Sequence, residues 1–127
     1  MKKINNILTK VFHFSNLILI IFYLYPGSIF GYFLYDNSSI QPQITRDFLI
    51  SSNHFYVFIL FSSIGILAYR NSKNINFLII YFFLLSFILE LLHMLIPNRS
   101  FEISDLFGNI IGVAVVIIIY KIKKKYE

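Results

Sequence analysis

Residues 75–96 read INFLIIYFFLLSFILELLHMLI, and this stretch decides the class of fold. A helix that crosses a bilayer needs about 20 predominantly apolar residues, and the stretch reaches that length before Pro97 ends it. Its acidic and basic side chains are Glu90 and His93. The stretch therefore predicts a transmembrane helix with two polar groups near one end.

The composition of the whole chain agrees with a membrane protein. Of its 127 residues, 57% are hydrophobic and 13% are charged, and the mean hydropathy is +0.73. A soluble domain carries about 25% charged residues, so the composition excludes a soluble enzyme, a disordered tail and a nucleic-acid-binding module. The chain has no cysteine, which excludes a disulfide framework, a thiolate nucleophile and a zinc–sulfur site.

Three further apolar stretches, separated by polar segments, predict an all-α bundle of four transmembrane helices in a single domain over residues 1–127. The predicted spans are residues 11–34, 53–69, 75–96 and 105–120. In the first span we expect the helix to bend or end near Pro26 and Gly27. A basic start is also typical of a signal peptide, but no cleavage motif follows, so we expect this helix to be retained. The long polar loop predicts a short interfacial helix around residues 44–50.

The basic residues predict the orientation of the bundle in a cell membrane. Lys and Arg number 11 against 6 acidic residues, and nine of them lie at one side of the predicted helices. These nine are Lys2, Lys3, Lys10, Arg70, Lys73, Lys121, Lys123, Lys124 and Lys125. Only Arg46 and Arg99 lie at the other side. The positive-inside rule therefore predicts that both termini are cytoplasmic, and the net charge of +5 indicates contact with anionic headgroups of the bilayer rather than with nucleic acid.

Ionisable side chains inside the predicted spans indicate where a site lies. Glu90 comes seven residues before Pro97, which places it about 10 Å below the outer interface. A carboxyl group at that depth costs a few kcal/mol unless it is paired, protonated or in contact with water. His93 follows at i+3 on the same face of the helix, so these two are the candidate acid–base residues.

The fourth span places further polar groups on one face. Asp105, Asn109 and Gly112 are spaced at i, i+4 and i+7, and Gly108 with Gly112 forms a G-x-x-x-G motif. This motif lets a neighbouring helix approach closely, and we expect that neighbour to be the third span. We also expect Asn109 to lie within direct or one-water hydrogen-bonding reach of Glu90.

Two residues near the same end complete the predicted ligand-binding set of His54, Arg99, Asp105 and Asn109. His54 opens the second span, and Arg99 lies in the turn between the third and fourth spans. Arg99 either recognises a phosphate or carboxylate or pairs with Asp105 or Glu102 in its own turn. The alternatives for the other three residues are structural. His54 is then an interfacial histidine, Asp105 an acid at a helix start and Asn109 an amide that bonds between helices.

The motif Glu90-x-x-His93-x-x-x-Pro97-x-Arg99, followed by Asp105-x-x-x-Asn109-x-x-Gly112, resembles the VanZ-like membrane proteins. These proteins typically have Glu-x-x-Gln, Pro-x-Arg, and then Asp, Asn and Gly in the last helix. His54 is similar to the histidine of their Asp-Lys-x-x-His segment. The chain departs from the pattern at His93, which stands for Gln, and at residues 50–51, where Ile and Ser stand for Asp and Lys. The resemblance implies a bacterial envelope context and no particular reaction.

We derive three function hypotheses from these residues. The first is binding or handling of an amphipathic or lipid-linked envelope molecule at an outer-leaflet polar pocket. The second is an accessory subunit of a larger membrane complex, and the third is a membrane-embedded enzyme with Glu90 and His93 as the acid–base pair. We expect binding rather than catalysis, and no cofactor. Glu90-x-x-His93 has the spacing of half a di-iron site, but the motif occurs once, so the sequence predicts no metal.

Overall fold

The computed structural model describes residues 2–126, with side chains from residue 6 onward, and this part of the chain is helical without any strand. The all-α prediction is therefore confirmed. The helices are α1 (Lys2–Leu24), α2 (Ile29–Tyr35), α3 (Ser52–Tyr69), α4 (Ile75–Leu92) and α5 (Ile103–Tyr126), and a single 3-10 turn, His93–Leu95, continues α4.

Four of the described helices are long and apolar enough to cross a membrane, which confirms the four-helix bundle. These spans are Asn6–Leu24, Ser52–Tyr69, Ile75–Leu95 and Ile103–Tyr126. The last span extends beyond the predicted residues 105–120, because the lysine-rich tail continues the helix.

The first helix starts earlier than the predicted residue 11, and it ends at Leu24, as expected from Pro26 and Gly27, so the apolar residues up to 34 are not part of it. Pro26 disfavours helical backbone in the residue before it, and Gly27 takes a φ of 107°, which side chains rarely allow. Ser28 then caps the separate helix α2, since its hydroxyl accepts a hydrogen bond from the Gly31 N–H at 2.9 Å.

The interfacial helix predicted around residues 44–50 is also wrong, since residues 41–50 contain no helix. This segment instead supplies partners for the start of α3. Asp47 Oδ1 accepts a hydrogen bond from the Ser52 N–H at 2.7 Å, and the Asn53 side chain bonds to Pro42 O and to the Ile44 N–H. A helix start leaves four N–H groups without partners, so a capping loop is favoured over a further helix.

α3 is the central helix of the bundle, because its contacts with α5 and with α1 are the most extensive between the described helices. The core around it contains Phe58, Phe82 and Val113, each with no exposed surface. Large apolar side chains such as Phe77 and Ile118 lie on the outside of the bundle, as expected for surfaces that face lipid.

Gly108 and Gly112 lie against the start of α3, the second span, and not against the third span that the sequence predicts. A Cβ atom at Gly108 would lie 2.7 Å from the backbone oxygen of Ser51, the residue before α3, and one at Gly112 would lie 2.7 Å from that of Phe55 in α3. The Ser51 N–H also donates to Ser104 O at 3.1 Å, so the starts of α3 and α5 are joined. The short turn makes α4 and α5 neighbours in space, but it does not decide which face of α5 meets which helix.

Candidate functional site

Six polar side chains meet at one end of the bundle, and they come from α1, α3, α5 and from α4 with the 3-10 turn that follows it. We call them the polar cluster: Tyr23, His54, Glu90, His93, Asp105 and Asn109. Glu90 and Asn109 are 0% exposed and His93 is 1% exposed, whereas Asp105 is half-buried. The predicted gathering of Glu90, His93, His54, Asp105 and Asn109 is therefore present, drawn from three spans, and the first span adds Tyr23.

Tyr23, His54 and Asn109 form a triangle of hydrogen-bonding atoms. Tyr23 Oη lies 2.7 Å from Asn109 Oδ1 and 2.8 Å from His54 Nδ1, and Nδ1 lies 3.1 Å from Oδ1. Asn109 Nδ2 donates to Ser86 O at 3.3 Å, which fixes the amide with Oδ1 towards the triangle. Because Oδ1 can only accept, we assign a proton to His54 Nδ1. The other ring nitrogen, Nε2, lies 3.3 Å from Asp105 Oδ2.

A second histidine is held in a similar way. His93 Nε2 lies 3.1 Å from Tyr23 O, and since a carbonyl can only accept, this nitrogen carries a proton. The Tyr23 ring stacks on the His93 ring with centroids 5.4 Å apart. His93 Nδ1 then lies 3.3 Å from Glu90 Oε2. Each of the two histidines thus donates one N–H to a protein oxygen and turns its other nitrogen towards a carboxyl group.

Glu90 is held by backbone from the turn before α5. Its Oε1 accepts a hydrogen bond from the Glu102 N–H at 3.0 Å, whereas Oε2 accepts no hydrogen bond from the described residues. No hydrogen bond joins Glu90 to Asn109 in this part of the chain, so the expected direct bond is not formed. The reason is the rotation of α5, which directs the Asn109 amide towards Tyr23 and His54.

Tyr23 is the member of the polar cluster that the sequence does not predict. A phenol carries no charge at neutral pH. The free-energy cost of a charged side chain in a membrane span therefore does not single out Tyr23. The available signal was its position, three residues before the proline that ends the first span.

An apolar groove of about 570 Å³ lies beside the cluster, between α1, α2 and α3. Its apolar wall includes Ile18, Leu19, Phe22, Leu60, Phe61 and Ile64. Of the predicted site residues, His54 and Arg99 line the groove, as does Tyr23, whereas Glu90, His93, Asp105 and Asn109 do not. The Glu90–His93 pair therefore lies apart from the groove and not in its wall.

Arg99 faces the C-terminal end of α1. Its guanidinium donates to Phe22 O, Tyr25 O and Gln41 Oε1, each at 3.5 Å, the upper limit for a hydrogen bond. Within residues 6–126 no carboxylate lies within 4.0 Å of Arg99, so the alternative of pairing with Asp105 or Glu102 is not found. The end of the groove therefore carries a cation that has no anionic partner in the described part of the chain.

Four apolar spans around a buried polar cluster define a small polytopic integral membrane protein. Within that class, the chain belongs to the VanZ/LLP1 family, whose sequence pattern matches residues 1–124. The resemblance seen in the sequence is thereby confirmed. Comparisons with curated proteins and with solved structures gave no match.

Proposed function

We propose that this protein binds a lipid-linked molecule of the bacterial cell envelope that has an anionic head group. The hydrocarbon chain lies in the apolar groove, and the head group contacts Arg99 and His54. The observation that carries this proposal is the combination of an apolar groove and, at its end, an arginine that has no anionic partner among the described residues.

The length of the groove supports a lipid chain as its occupant. Its wall on α3 extends from Asn53 to Ile64, a rise of about 16 Å along the helix. The hydrocarbon core of a bilayer is about 30 Å thick, so the groove corresponds to a single leaflet. The distribution of basic residues favours the outer leaflet, because Arg99 lies at the side with few lysines and arginines.

The state of Arg99 supports an anionic head group. A guanidinium binds a phosphate or carboxylate through two parallel hydrogen bonds, which are shorter and stronger than those to neutral acceptors. Here its neutral acceptors all lie at 3.5 Å. An anion at the end of the groove would give the guanidinium stronger partners without breaking an ion pair.

Binding of defined lipids tests this proposal. The full chain is placed in phosphatidylcholine nanodiscs, and the affinity for an added polyprenyl phosphate is compared with that for the uncharged polyprenol and for phosphatidylglycerol. We expect the phosphate to bind more tightly than the alcohol, and the phosphatidylglycerol arm tells whether an ordinary anionic phospholipid suffices. Equal binding of the phosphate and the alcohol contradicts the proposal.

A matched pair of arginine variants assigns the effect to the site. Arg99→Gln should weaken binding of the phosphate by about 10-fold or more, since a hydrogen bond to a charged group contributes about 1.5–3 kcal/mol. Arg46→Gln removes the same charge from an exposed loop residue at the same side and should have little effect. Equal losses in the two variants would show general attraction of charge rather than a site.

A further inference from the structure

We propose that His54, Glu90 and Asp105 form a binding site for a divalent transition-metal ion. Each residue offers one ligand atom, and these atoms all lie within 4.8 Å of one another. The three residues come from α3, α4 and α5, so the site exists only in the folded bundle. It shares His54 with the proposed lipid site, but binding of the ion needs no lipid.

The orientation of His54 is that of a metal-binding histidine. A histidine that binds a metal through one nitrogen usually donates its other N–H to a protein oxygen, which fixes the ring and its tautomer. His54 Nδ1 faces Asn109 Oδ1 and Tyr23 Oη, so Nε2 has its lone pair towards Asp105. A lone pair and a carboxylate oxygen 3.3 Å apart repel each other unless a cation or a proton lies between them.

Glu90 provides an independent observation. Its side chain is fully buried, and Oε2 accepts no hydrogen bond from the described residues. A buried carboxylate oxygen without a partner is costly, and coordination of a metal is one of the few ways to satisfy it. The neighbouring His93 Nδ1 cannot supply a proton from the neutral ring, because the ring proton is on Nε2, facing Tyr23 O.

The charges in the polar cluster also favour a bound cation. Glu90 and Asp105 are carboxyl groups within membrane spans, and no Lys or Arg side chain pairs with either among the described residues. A divalent cation would neutralise both carboxylates at once. Two acidic side chains in one apolar region are otherwise expensive.

The distances and ligand types suit zinc or a similar ion. Metal–ligand distances of about 2.0–2.1 Å in tetrahedral geometry separate two ligand atoms by about 3.3 Å. His54 Nε2 and Asp105 Oδ2 are 3.3 Å apart already. All the ligand atoms lie within 4.8 Å of one another, so the Glu90 carboxylate must move closer by at most about 1.5 Å. Mixed imidazole and carboxylate ligands suit zinc, manganese or iron(II) better than magnesium or calcium. Three protein ligands leave a fourth position for water or for His93.

This inference reverses the prediction that the chain holds no metal. The sequence contains one copy of the Glu-x-x-His motif, and a di-iron site needs a second copy on another helix. The structure instead brings single ligands together from three helices. Only the packing of α5 on α3 brings Asp105 to His54.

Metal binding to the full chain in detergent tests the inference. The purified protein is treated with a chelator, dialysed and titrated with Co²⁺, which reports tetrahedral coordination by its visible absorption, and then with Zn²⁺ by calorimetry. We expect saturation at one ion per chain and displacement of Co²⁺ by Zn²⁺. Absence of a saturable signal in the wild-type chain overturns the inference, whatever the variants do.

Variants assign the ion to the cluster. His54→Asn, Glu90→Gln and Asp105→Asn should each weaken binding by about 100-fold, since loss of a supporting residue alone costs about 10–100-fold. Glu102→Gln is the matched control, because it removes an exposed carboxylate next to the site and leaves the N–H to Glu90 in place. If Glu102→Gln weakens binding as much as Asp105→Asn, the ion is held by general negative charge and the inference is wrong.

Discussion

Substitution of Gly112 tests the close packing that brings the polar cluster together. A Cβ atom there would lie 2.7 Å from Phe55 O, and ordinary contact begins at 3.4 Å, so the backbones of α3 and α5 must separate by about 0.7 Å. Overpacking of this kind costs about 1–3 kcal/mol, and alanine recovers about 1 kcal/mol through its helix propensity. We therefore expect Gly112→Ala to lower the free energy of unfolding by about 1 kcal/mol and Gly112→Leu by about 3 kcal/mol.

Unfolding in mixed micelles of detergent and dodecyl sulfate measures these changes, with helical circular dichroism as the signal. Ile118→Leu is the control, because Ile118 lies on the exposed side of the same helix and should tolerate the exchange. The larger residue should also weaken any metal binding, because it moves Asp105 away from His54. If the free energy of unfolding of Gly112→Leu lies within about 0.5 kcal/mol of the wild-type value, the close contact between α3 and α5 is refuted.

Three further predictions concern the loop, the cluster and the topology. Asp47→Ala should destabilise the protein by about 1 kcal/mol in the same unfolding assay, because it removes the acceptor of the Ser52 N–H, and Asp47→Asn should restore most of that loss. Tyr23→Phe should cost about 1–2 kcal/mol, because it removes the hydroxyl that donates to Asn109 Oδ1, and an unchanged unfolding curve would contradict the triangle. A reporter fused to the C-terminus should be cytoplasmic and one inserted at Gln41 should be external, as the basic residues predict, and the reverse result would place the groove in the inner leaflet.

The sequence was sufficient for the four spans, because a helix in lipid must be apolar over about 20 residues and must satisfy its own backbone groups. The same rule does not locate where a span ends within an apolar stretch. Residues 29–35 are as apolar as the span before them, and the turn at Pro26 and Gly27 separates them into α2.

Five of the six members of the polar cluster were predictable from the sequence, whereas their contacts were not. Glu90, His93, Asp105 and Asn109 stand out because polar groups are rare in spans. Their partners depend on the rotation of each helix about its axis, which side-chain packing decides. Asn109 contacts Ser86 O and His54, and this follows from the fit of the two glycines of α5 against α3.

The position of a bound lipid chain tests the central claim most directly. A polyprenyl phosphate with a photoreactive group on its chain is added to the protein in nanodiscs and irradiated, and the labelled residues are found by mass spectrometry. We predict labels on Leu60 and Ile64 in the groove, reduced by an excess of unlabelled polyprenyl phosphate. Labels spread equally over outward-facing residues such as Phe77 and Ile118, without competition, would contradict binding in the groove.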